Sequence, residues 1–450
     1  MQVVLLSGGT GARLWPLSND ARSKQFLRVL RVEDGSRKES MIQRVFRQIK
    51  ESGLAEDGDV TVATSALQTD SVQSQLGPDV NLVVEPSRRD TFPAICLACE
   101  FLHLVKGIDK EQTVVVMPCD PFTELSYFSA IKEMAEAVEA DRADMAVMGI
   151  RPTSPSSKFG YILPREGSAD DKGVMMVDRF VEKPNRIDAE RLIAEGALWN
   201  GGVFAFRLGF VLEIADRYLK ASDYKEYVKG FDNLPKISFD YEVAEKCESI
   251  AVVPYEGKWK DLGTWNALSE ELEAATNGNV LTDDSCSNTH VINELNMPLL
   301  CLGTRNLIVA ASPDGIIVSD KDRSEQVKEY ASSLKTRPMY EERRWGNYKV
   351  LDSVVFDDGY SVLTKQLVLN PGASISYQRH MQRDEVWTIV DGEGEIVVDG
   401  ERRKIGRGDV LVINRTQMHA LKATTLLTLI EVQKGENLVE SDIERFSYDW

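Results

Sequence analysis

Gly8, Gly9 and Gly11 follow the first apolar run of the chain, and Arg13 and Lys24 follow them. Glycine reaches positive φ at little cost and lets consecutive backbone N–H groups approach a ligand, so such a turn makes an anion-binding nest. Arg13 adds a guanidinium that can fork onto phosphate oxygens, and Lys24 adds a mobile point charge. Neither common glycine loop fits. A nucleoside-triphosphatase loop carries Lys-Ser/Thr directly after its last glycine, where this chain has Ala12-Arg13. A dinucleotide fingerprint reads G-x-G-x-x-G, where this chain has Gly8-Gly9-Thr10-Gly11. The residues predict a phosphate site of another kind; the plain alternative is a tight turn with two surface cations.

Other polar residues fall where apolar runs stop. "VVEPSRRDTFPA" puts Glu85, Arg88, Arg89 and Asp90 just past one run, and "MPCD" puts Asp120 at the end of another. "FVEKP" joins Glu182 to Lys183, "LWNGGVFAF" sets Asn200 before Gly201 and Gly202, and "WKDLGTW" holds Asp261 between two tryptophans. In the last quarter, Gln378, His380, Glu385 and His419 lie among Gly372, Gly392 and Gly408, and two of the chain's four histidines are in this set. On a strand, positions 378 and 380 point to one face.

These residues need elements to hold them. Residues 2–6, 60–64, 81–86, 113–120 and 144–150 read as short apolar strands, with helical patterns between several of them. "SMIQRVFRQIKESG" predicts a helix: Ser40 caps it, Met41, Ile42, Val45, Phe46 and Ile49 share a face, and Gly53 ends it. "YFSAIKEMAEAVEA" at 127–140 predicts another. Such alternation predicts an α/β domain, a mostly parallel sheet with helices on both faces and its ligand at the carboxyl ends of the strands. The glycine turn falls on that rim. After about residue 275 the texture changes. Residues 276–320 hold short apolar pieces broken by Asn, Asp and Gly, which predicts a small segment of stacked short strands. "RSEQVKEYASSLK" at 323–335 predicts a linking helix. From about residue 345 the chain reads as a sandwich or small barrel. The expected divisions are 1–275, 276–335 and 340–450.

The chain has 450 residues, of which 43% are hydrophobic, and a net charge of −18. That length allows about two or three domains with their own cores. The acidic balance argues against general nucleic-acid or anionic-membrane binding, so local cations must meet any anionic ligand. No basic leader precedes a long apolar segment, and no run reaches transmembrane length. Cys96 and Cys99 form a C-x-x-C, but their small and apolar neighbours favour a buried helix face over redox or metal work. The scattered cysteines suit a reducing cytoplasm.

Together the first set of motifs resembles the nucleotidyltransferases that make sugar nucleotides, and most closely the mannose-1-phosphate guanylyltransferases. The family opens L-S-G-G-x-G-x-R-L-W-P-L-S and later has K-Q-F; this chain matches over Leu6–Ser18 and Lys24-Gln25-Phe26. The E-P-x-x-R-D-T, F-x-E-K-P, W-N-x-G and W-x-D-x-G-T-W stretches match as well. The resemblance covers about residues 1–335. It implies a Rossmann-like nucleotidyltransferase domain, a short β-helix-like linker, and transfer of a nucleotidyl group from GTP to mannose 1-phosphate with release of pyrophosphate. It further implies that Leu6, Gly8, Gly9 and Gly11, with Glu85 and Arg89, meet the nucleotide. Arg13 and Lys24 would hold the triphosphate, and Asp120 and Asp261 would bind Mg²⁺. Lys183 would hold the sugar phosphate, and Glu182 and Asn200 the sugar hydroxyls. The chain departs from the family at Ser23, Phe92 and Pro121, where Pro, Ala and His are usual.

The C-terminal set resembles the two cupin motifs, with Gln378 in place of the usual first His. It implies an all-β cupin barrel in which Gln378, His380, Glu385 and His419 hold one divalent transition metal such as Zn²⁺ or Mn²⁺. Q-x-H followed by R-x-E further resembles the type II phosphomannose isomerase domain fused to such guanylyltransferases. That implies a catalytic Arg383 and exchange of mannose 6-phosphate and fructose 6-phosphate through an enediol. The family often reads H-H-R-x-E-H-W, where this chain has Met381-Gln382-Arg383-Asp384-Glu385-Val386-Trp387. The expected partners are GTP and mannose 1-phosphate, with no nucleic acid and no membrane, and the chain is expected as a cytoplasmic homodimer. Other readings stay open: the same fold acting on another sugar or base with a non-catalytic sugar-binding cupin, a sugar-nucleotide-binding regulator without turnover, or a metal-storing cupin on an inert N-terminal half.

Overall fold

Strand β1 (Gln2–Ser7) is buried along almost its whole length, as its run of aliphatic residues dictates. The computed structural model describes residues 1–9, 11–32, 35–334 and 337–450. They fold into two compact units, the first made of Met1–Thr10, Ser23–Thr69 and Asp79–Glu273, the second of Gly11–Arg22, Asp70–Pro78 and Ala274–Trp450.

The first unit is built on a nine-stranded sheet. After β1 its strands are β2 (Val60–Ser65), β3 (Asn81–Glu85), β4 (Thr113–Pro118), β5 (Met145–Ile150), β6 (Tyr161–Pro164), β7 (Met175–Val181), β8 (Leu198–Arg207) and β9 (Ile250–Tyr255). Their order is β3-β2-β1-β4-β8-β5-β9-β7-β6. Pairing is parallel from β3 through β4 and between β5 and β9, so the α/β expectation holds there. Strand β8 runs antiparallel to both its long neighbours, and β6 and β7 also pair antiparallel, which makes the sheet mixed. Helix α1 (Met41–Glu51) starts with a full capping box between Ser40 and Gln43 and buries Met41, Ile42, Val45 and Ile49. Helix α2 (Thr69–Leu76) precedes α3 (Thr91–Leu104), whose Phe92, Ile95, Cys96, Leu97 and Cys99 are fully buried in the main core. Both cysteines are free and sit on a buried face, as their neighbours suggest.

The second unit holds two β architectures. Short parallel strands stack in β-helix fashion: Val280–Thr282 on Leu299–Cys301, and Thr276–Asn277 on β10 (His290–Asn293) on β11 (Leu307–Ser312). Strand β12 (Gly315–Asp320) closes the edge antiparallel to β11. The linking helix is shorter than its sequence suggests: a 3-10 stretch, Lys321–Gln326, leads into an α-turn that ends at Ala331. Ser332 and Ser333 turn their hydroxyls back onto the carbonyls of Lys328 and Tyr330, which competes with helix propagation. Lys335, the expected end of that helix, lies outside the described residues, as does Thr10 of the opening motif.

The rest is a two-sheet, antiparallel cupin sandwich. One sheet includes β13 (Tyr340–Arg343), β14 (Gly346–Val355) and β15 (Ser361–Leu369), and the other β16 (Ser374–Arg379). Strand β17 (Arg383–Asp391) and later β22 (Leu427–Gly435) belong to the first. Between them come β18 (Glu393–Val398), β19 (Glu401–Gly406), β20 (Val410–Ile413) and β21 (His419–Ala423). Burial alternates along β15, β17 and β22 with period two, and the inward residues form a core around Trp387, Ile389, Leu367 and Leu429.

Candidate active site and metal centre

The glycine turn leaves β1 at Ser7. Gly8 and Gly9 are exposed, and Gly9 takes φ +122, a conformation that suits glycine alone. A buried polar network braces the turn from behind. The carbonyl of Gly9 accepts from Ser23 Oγ and from Gln68 Nε2, both at 3.2 Å. Gln68 Nε2 also reaches Ser23 Oγ at 2.6 Å, and Gln25 Nε2 reaches Ser7 Oγ at 3.3 Å. Ser23 thus uses its hydroxyl to hold the glycine turn.

Lys24 stands at the head of the short 3-10 turn Lys24–Phe26. Its Nζ lies 2.8 Å from Asp120 Oδ2 and 2.6 Å from Asp261 Oδ1. Burial opposes its charge, and the two carboxylates outweigh burial, so its pKa is raised. Asp120 follows β4, and Asp261 ends the short strand Trp259–Asp261. That strand pairs with Pro121–Thr123 in the register Asp261↔Pro121, which brings the two aspartates together. Pro121 is tolerated because it opens a strand. Two carboxylates that share one ammonium form a donor set a hard cation such as Mg²⁺ fits.

A second cluster gathers Glu182, Lys183 and Asn200. The registers Val181↔Tyr161 and Tyr161↔Trp199 bring the following residues, Glu182 and Asn200, to neighbouring strand ends. Lys183 Nζ is 2.5 Å from Glu182 Oε1. Asn200 donates from Nδ2 to Asp240 Oδ1 at 2.6 Å and accepts the N–H of Gly202 at 3.0 Å. Glu182 Oε2 is buried without a hydrogen-bond partner among the described residues. Burial, then Asp240, pushes the Glu182 pKa up. Gly160 makes room for this carboxylate: a Cβ there would stand 2.3 Å from Glu182 Oε2. Asp240 and Gly160 carry no chemical motif, and sequence reasoning missed both.

Three further residues expected at the nucleotide make contacts of their own. Leu6 is half-buried in β1, with its carbonyl accepting from Cys119 N. Glu85 closes β3, and burial lifts its pKa to about 7 against the pull of Arg88. Arg89 donates to the carbonyl of Leu234 and pairs with Asp232 at 3.3 Å. In the second unit, Arg13 is exposed on the 3-10 turn Gly11–Leu14.

The cupin set converges inside the sandwich. Gln378 lies opposite His419 in register, and Gln378, His380, Glu385 and His419 are all buried. Ligand atoms of His380, Glu385 and His419 lie within 4.8 Å of one another. His380 Nδ1 donates to the carbonyl of Asp442 at 2.5 Å, and His419 Nδ1 to that of Gln417 at 3.1 Å. A carbonyl only accepts, so both imidazoles leave an unprotonated Nε2 facing inward. His419 Nε2 is buried with no hydrogen-bond partner among the described residues, though Glu385 Oε2 lies 3.7 Å away, and it is an orphaned acceptor that a metal ion would satisfy. Burial, then Arg383, holds His380 down to about 4, in the neutral form a ligand needs. The residues fit a divalent metal.

Arg383 donates from Nε to Glu385 Oε1 at 2.8 Å and lies 3.3 Å from His380 Nε2. It is anchored by the carbonyls of Val439 and Asp442. The departures from the isomerase pattern point away from this centre: Met381 and Gln382 are exposed, and Val386 faces outward between buried Glu385 and Trp387. The interior also holds residues that sequence reasoning passed over. Lys365 pairs with Glu440 at 2.6 Å, and Gln433 Nε2 lies 3.0 Å from Glu431 Oε2 and 3.4 Å from Glu385 Oε1. Their signal was parity: Lys365 alternates with Leu363 and Leu367, and Glu431 with Leu429, all inward.

Residues 2–278 match the nucleotidyl transferase family, and residues 332–448 match the mannose-6-phosphate isomerase C-terminal family. The chain is 32% identical to the xanthan biosynthesis protein XanB of Xanthomonas campestris pv. campestris (strain B100), across 98% of this chain and 97% of that protein. It is 30% identical to a putative mannose-1-phosphate guanylyltransferase of Vibrio cholerae serotype O1, across 98% of each. The crystal structure of a mannose-1-phosphate geranyltransferase from Thermus thermophilus superposes with a TM-score of 0.60 at 29% identity, covering 74% of this chain and 99% of that one. With the glycine turn, the lysine-bridged aspartates and the cupin centre in place, the chain belongs to the mannose-1-phosphate guanylyltransferase family, in the form that carries a mannose-6-phosphate isomerase C-terminal domain.

Proposed function

We propose that the protein transfers a guanylyl group from GTP to mannose 1-phosphate, giving GDP-mannose and pyrophosphate. The observation that carries this reading is the Lys24 ammonium set between Asp120 and Asp261 beside the glycine turn. A phosphate oxygen of mannose 1-phosphate attacks the α-phosphorus of GTP, and the bond from that phosphorus to the oxygen bridging to the β-phosphate breaks. Positioning and charge neutralisation carry most of such a step. Gly8, Gly9 and Gly11 offer backbone donors to the nucleotide, with Leu6, Glu85 and Arg89 as further nucleotide contacts. Arg13 and Lys24 take charge from the triphosphate as pyrophosphate leaves. Asp120 and Asp261 would hold Mg²⁺, which supplies further neutralisation when bound. Lys183 holds the sugar phosphate, and Glu182 and Asn200 orient sugar hydroxyls.

The cupin has a second role in this reading, exchange of mannose 6-phosphate and fructose 6-phosphate. The orphaned His419 Nε2 favours it. Gln378, His380, Glu385 and His419 would hold a transition metal such as Zn²⁺ or Mn²⁺, which supplies polarisation of the sugar carbonyl and hydroxyl. Arg383 places its positive charge beside that centre, where charge grows on the enediol. The six free cysteines suit a reducing cytoplasm, and no helix among the described residues is long and apolar enough to cross a membrane. We place the protein in the cytoplasm as a homodimer, which its mass in solution tests.

The test is pyrophosphate release with Mg²⁺, crossing four nucleoside triphosphates with mannose 1-phosphate and glucose 1-phosphate. Release with GTP and mannose 1-phosphate above all other pairs is expected. Preference for another pair would keep the chemistry and replace the substrates. No release with any pair would sink the transferase reading.

A further inference from the structure

The loop that carries Arg13 is locked by residues far along the chain. Asn19 Oδ1 accepts the N–H groups of Ala21 at 2.9 Å and Arg22 at 2.7 Å, which closes a turn. Asn19 Nδ2 donates to Asp314 Oδ2 at 2.8 Å, across 295 positions of sequence. Arg22 forks onto Glu294 through two bonds of 2.8 and 2.9 Å, and its guanidinium lies 5.1 Å from the ring centre of Tyr340. The other oxygen of Asp314 accepts the N–H of Met339 at 2.6 Å. Ser312 Oγ donates to the carbonyl of Pro16 at 2.7 Å. Asp314 therefore joins three segments of the second unit: the opening loop, the turn between β11 and β12, and the chain entering the cupin. Bidentate, partly buried pairs of this kind fix orientation as well as attraction.

We propose that Asp314 and Glu294 are positioning residues for nucleotidyl transfer: through Asn19 and Arg22 they hold the loop that carries Arg13. The inference rests on the guanylyltransferase reading. A loop that begins with three glycines is costly to order. If it were ordered only on binding, each GTP would bear that cost; ordered beforehand, it raises affinity and keeps the reacting groups aligned. In that reading Arg13 serves the nucleotide, and none of the residues assigned to the sugar lies in the clamped loop, so loss of the clamp should fall on the nucleotide and leave the sugar alone.

An exchange of side chains tests this in the full-length protein. Asp314→Asn sets two amide donors against each other at Asn19. The double variant Asn19→Asp with Asp314→Asn restores every bond with donor and acceptor reversed. The expected result for the single variant is a KM for GTP raised about 10-fold or more with a lowered kcat, and a KM for mannose 1-phosphate within about 2-fold of wild type. The double variant should recover the wild-type KM for GTP. Glu294→Gln should resemble the single variant. An unchanged KM for GTP in Asp314→Asn, or a lower unfolding temperature without that change, would overturn the proposal and leave a purely structural clamp. So would a double variant no better than the single. If wild type itself releases no pyrophosphate, the transferase reading fails first, and this inference falls with it.

Discussion

Lys24 Nζ stands 2.6 Å from Asp261 Oδ1, a bond that spans 237 positions of sequence. One residue opens the short 3-10 turn Lys24–Phe26 and the other closes a short strand near the end of the first unit. Both side chains are partly exposed, so the pair contributes little to stability and its value lies in charge placement. Lys24→Ala and Asp261→Asn should each cut pyrophosphate release on the order of 100-fold or more, with the fold intact by circular dichroism. Wild-type rates in either variant would remove the residue from the reaction.

Gly160 sets the shape of the cluster of Glu182, Lys183 and Asn200. A Cβ there would stand 3.3 Å from Asn200 Cβ as well as crowding Glu182. Gly160→Ala should raise the KM for the hexose 1-phosphate roughly 10- to 100-fold and leave the KM for GTP near wild type. An equal effect on both substrates would show that the cluster serves no sugar.

The cupin centre should be separable from transfer. His380→Ala removes one inward nitrogen from a buried set, and about 10- to 100-fold of metal affinity or more should go with it. Metal content by elemental analysis should fall while pyrophosphate release stays at the wild-type rate. A parallel loss of both activities would argue that the two sites depend on each other.

Glu100 offers a pH test of the first unit's core. Burial, then Asp216, lifts its pKa from the ordinary 4.5 to about 7. Between those values the folded chain keeps a proton that the unfolded chain has lost. Its contribution is therefore intact below about pH 4.5 and declines as pH rises, until the full cost of a buried charge is present above about pH 7. Glu100→Gln should raise stability by about 2 kcal/mol at pH 8 and change it little at pH 4.5. Urea unfolding at the two pH values measures this; a gain of equal size at both would refute the charge argument.

Continuous apolar runs were legible. The runs at 113–120 and 144–150 read as strands and form the buried strands Thr113–Pro118 and Met145–Ile150, and Ser40 reads as the cap that starts α1. Strand β7 was not legible, because "MMVDRFV" is half-exposed and lacks a clean period. The site showed the same divide. Lys24, Asp120 and Asp261 belong to motifs, whereas Ser23 and Gln68 are small or neutral polar residues whose bond follows from the fold alone. The altered residues of the cupin motif look alarming in a linear reading, yet Met381 is exposed in the bend before β17, and strand parity turns Val386 away from the buried side that holds Glu385 and Trp387.

The clamp on the opening loop sets an order of events during synthesis. Asn19 and Arg22 leave the ribosome early, while Asp314 and Glu294 follow 295 and 272 positions later. At roughly 5–20 residues per second, that delay is on the order of 15–60 s. For that interval the nascent chain can complete its large sheet and brace Gly9 through Ser23 and Gln68, while Asn19 and Arg22 remain without their acidic partners. The first motif to be translated is thus among the last to gain all its bonds, and a chain that stalls before residue 294 leaves Asn19 and Arg22 unclamped.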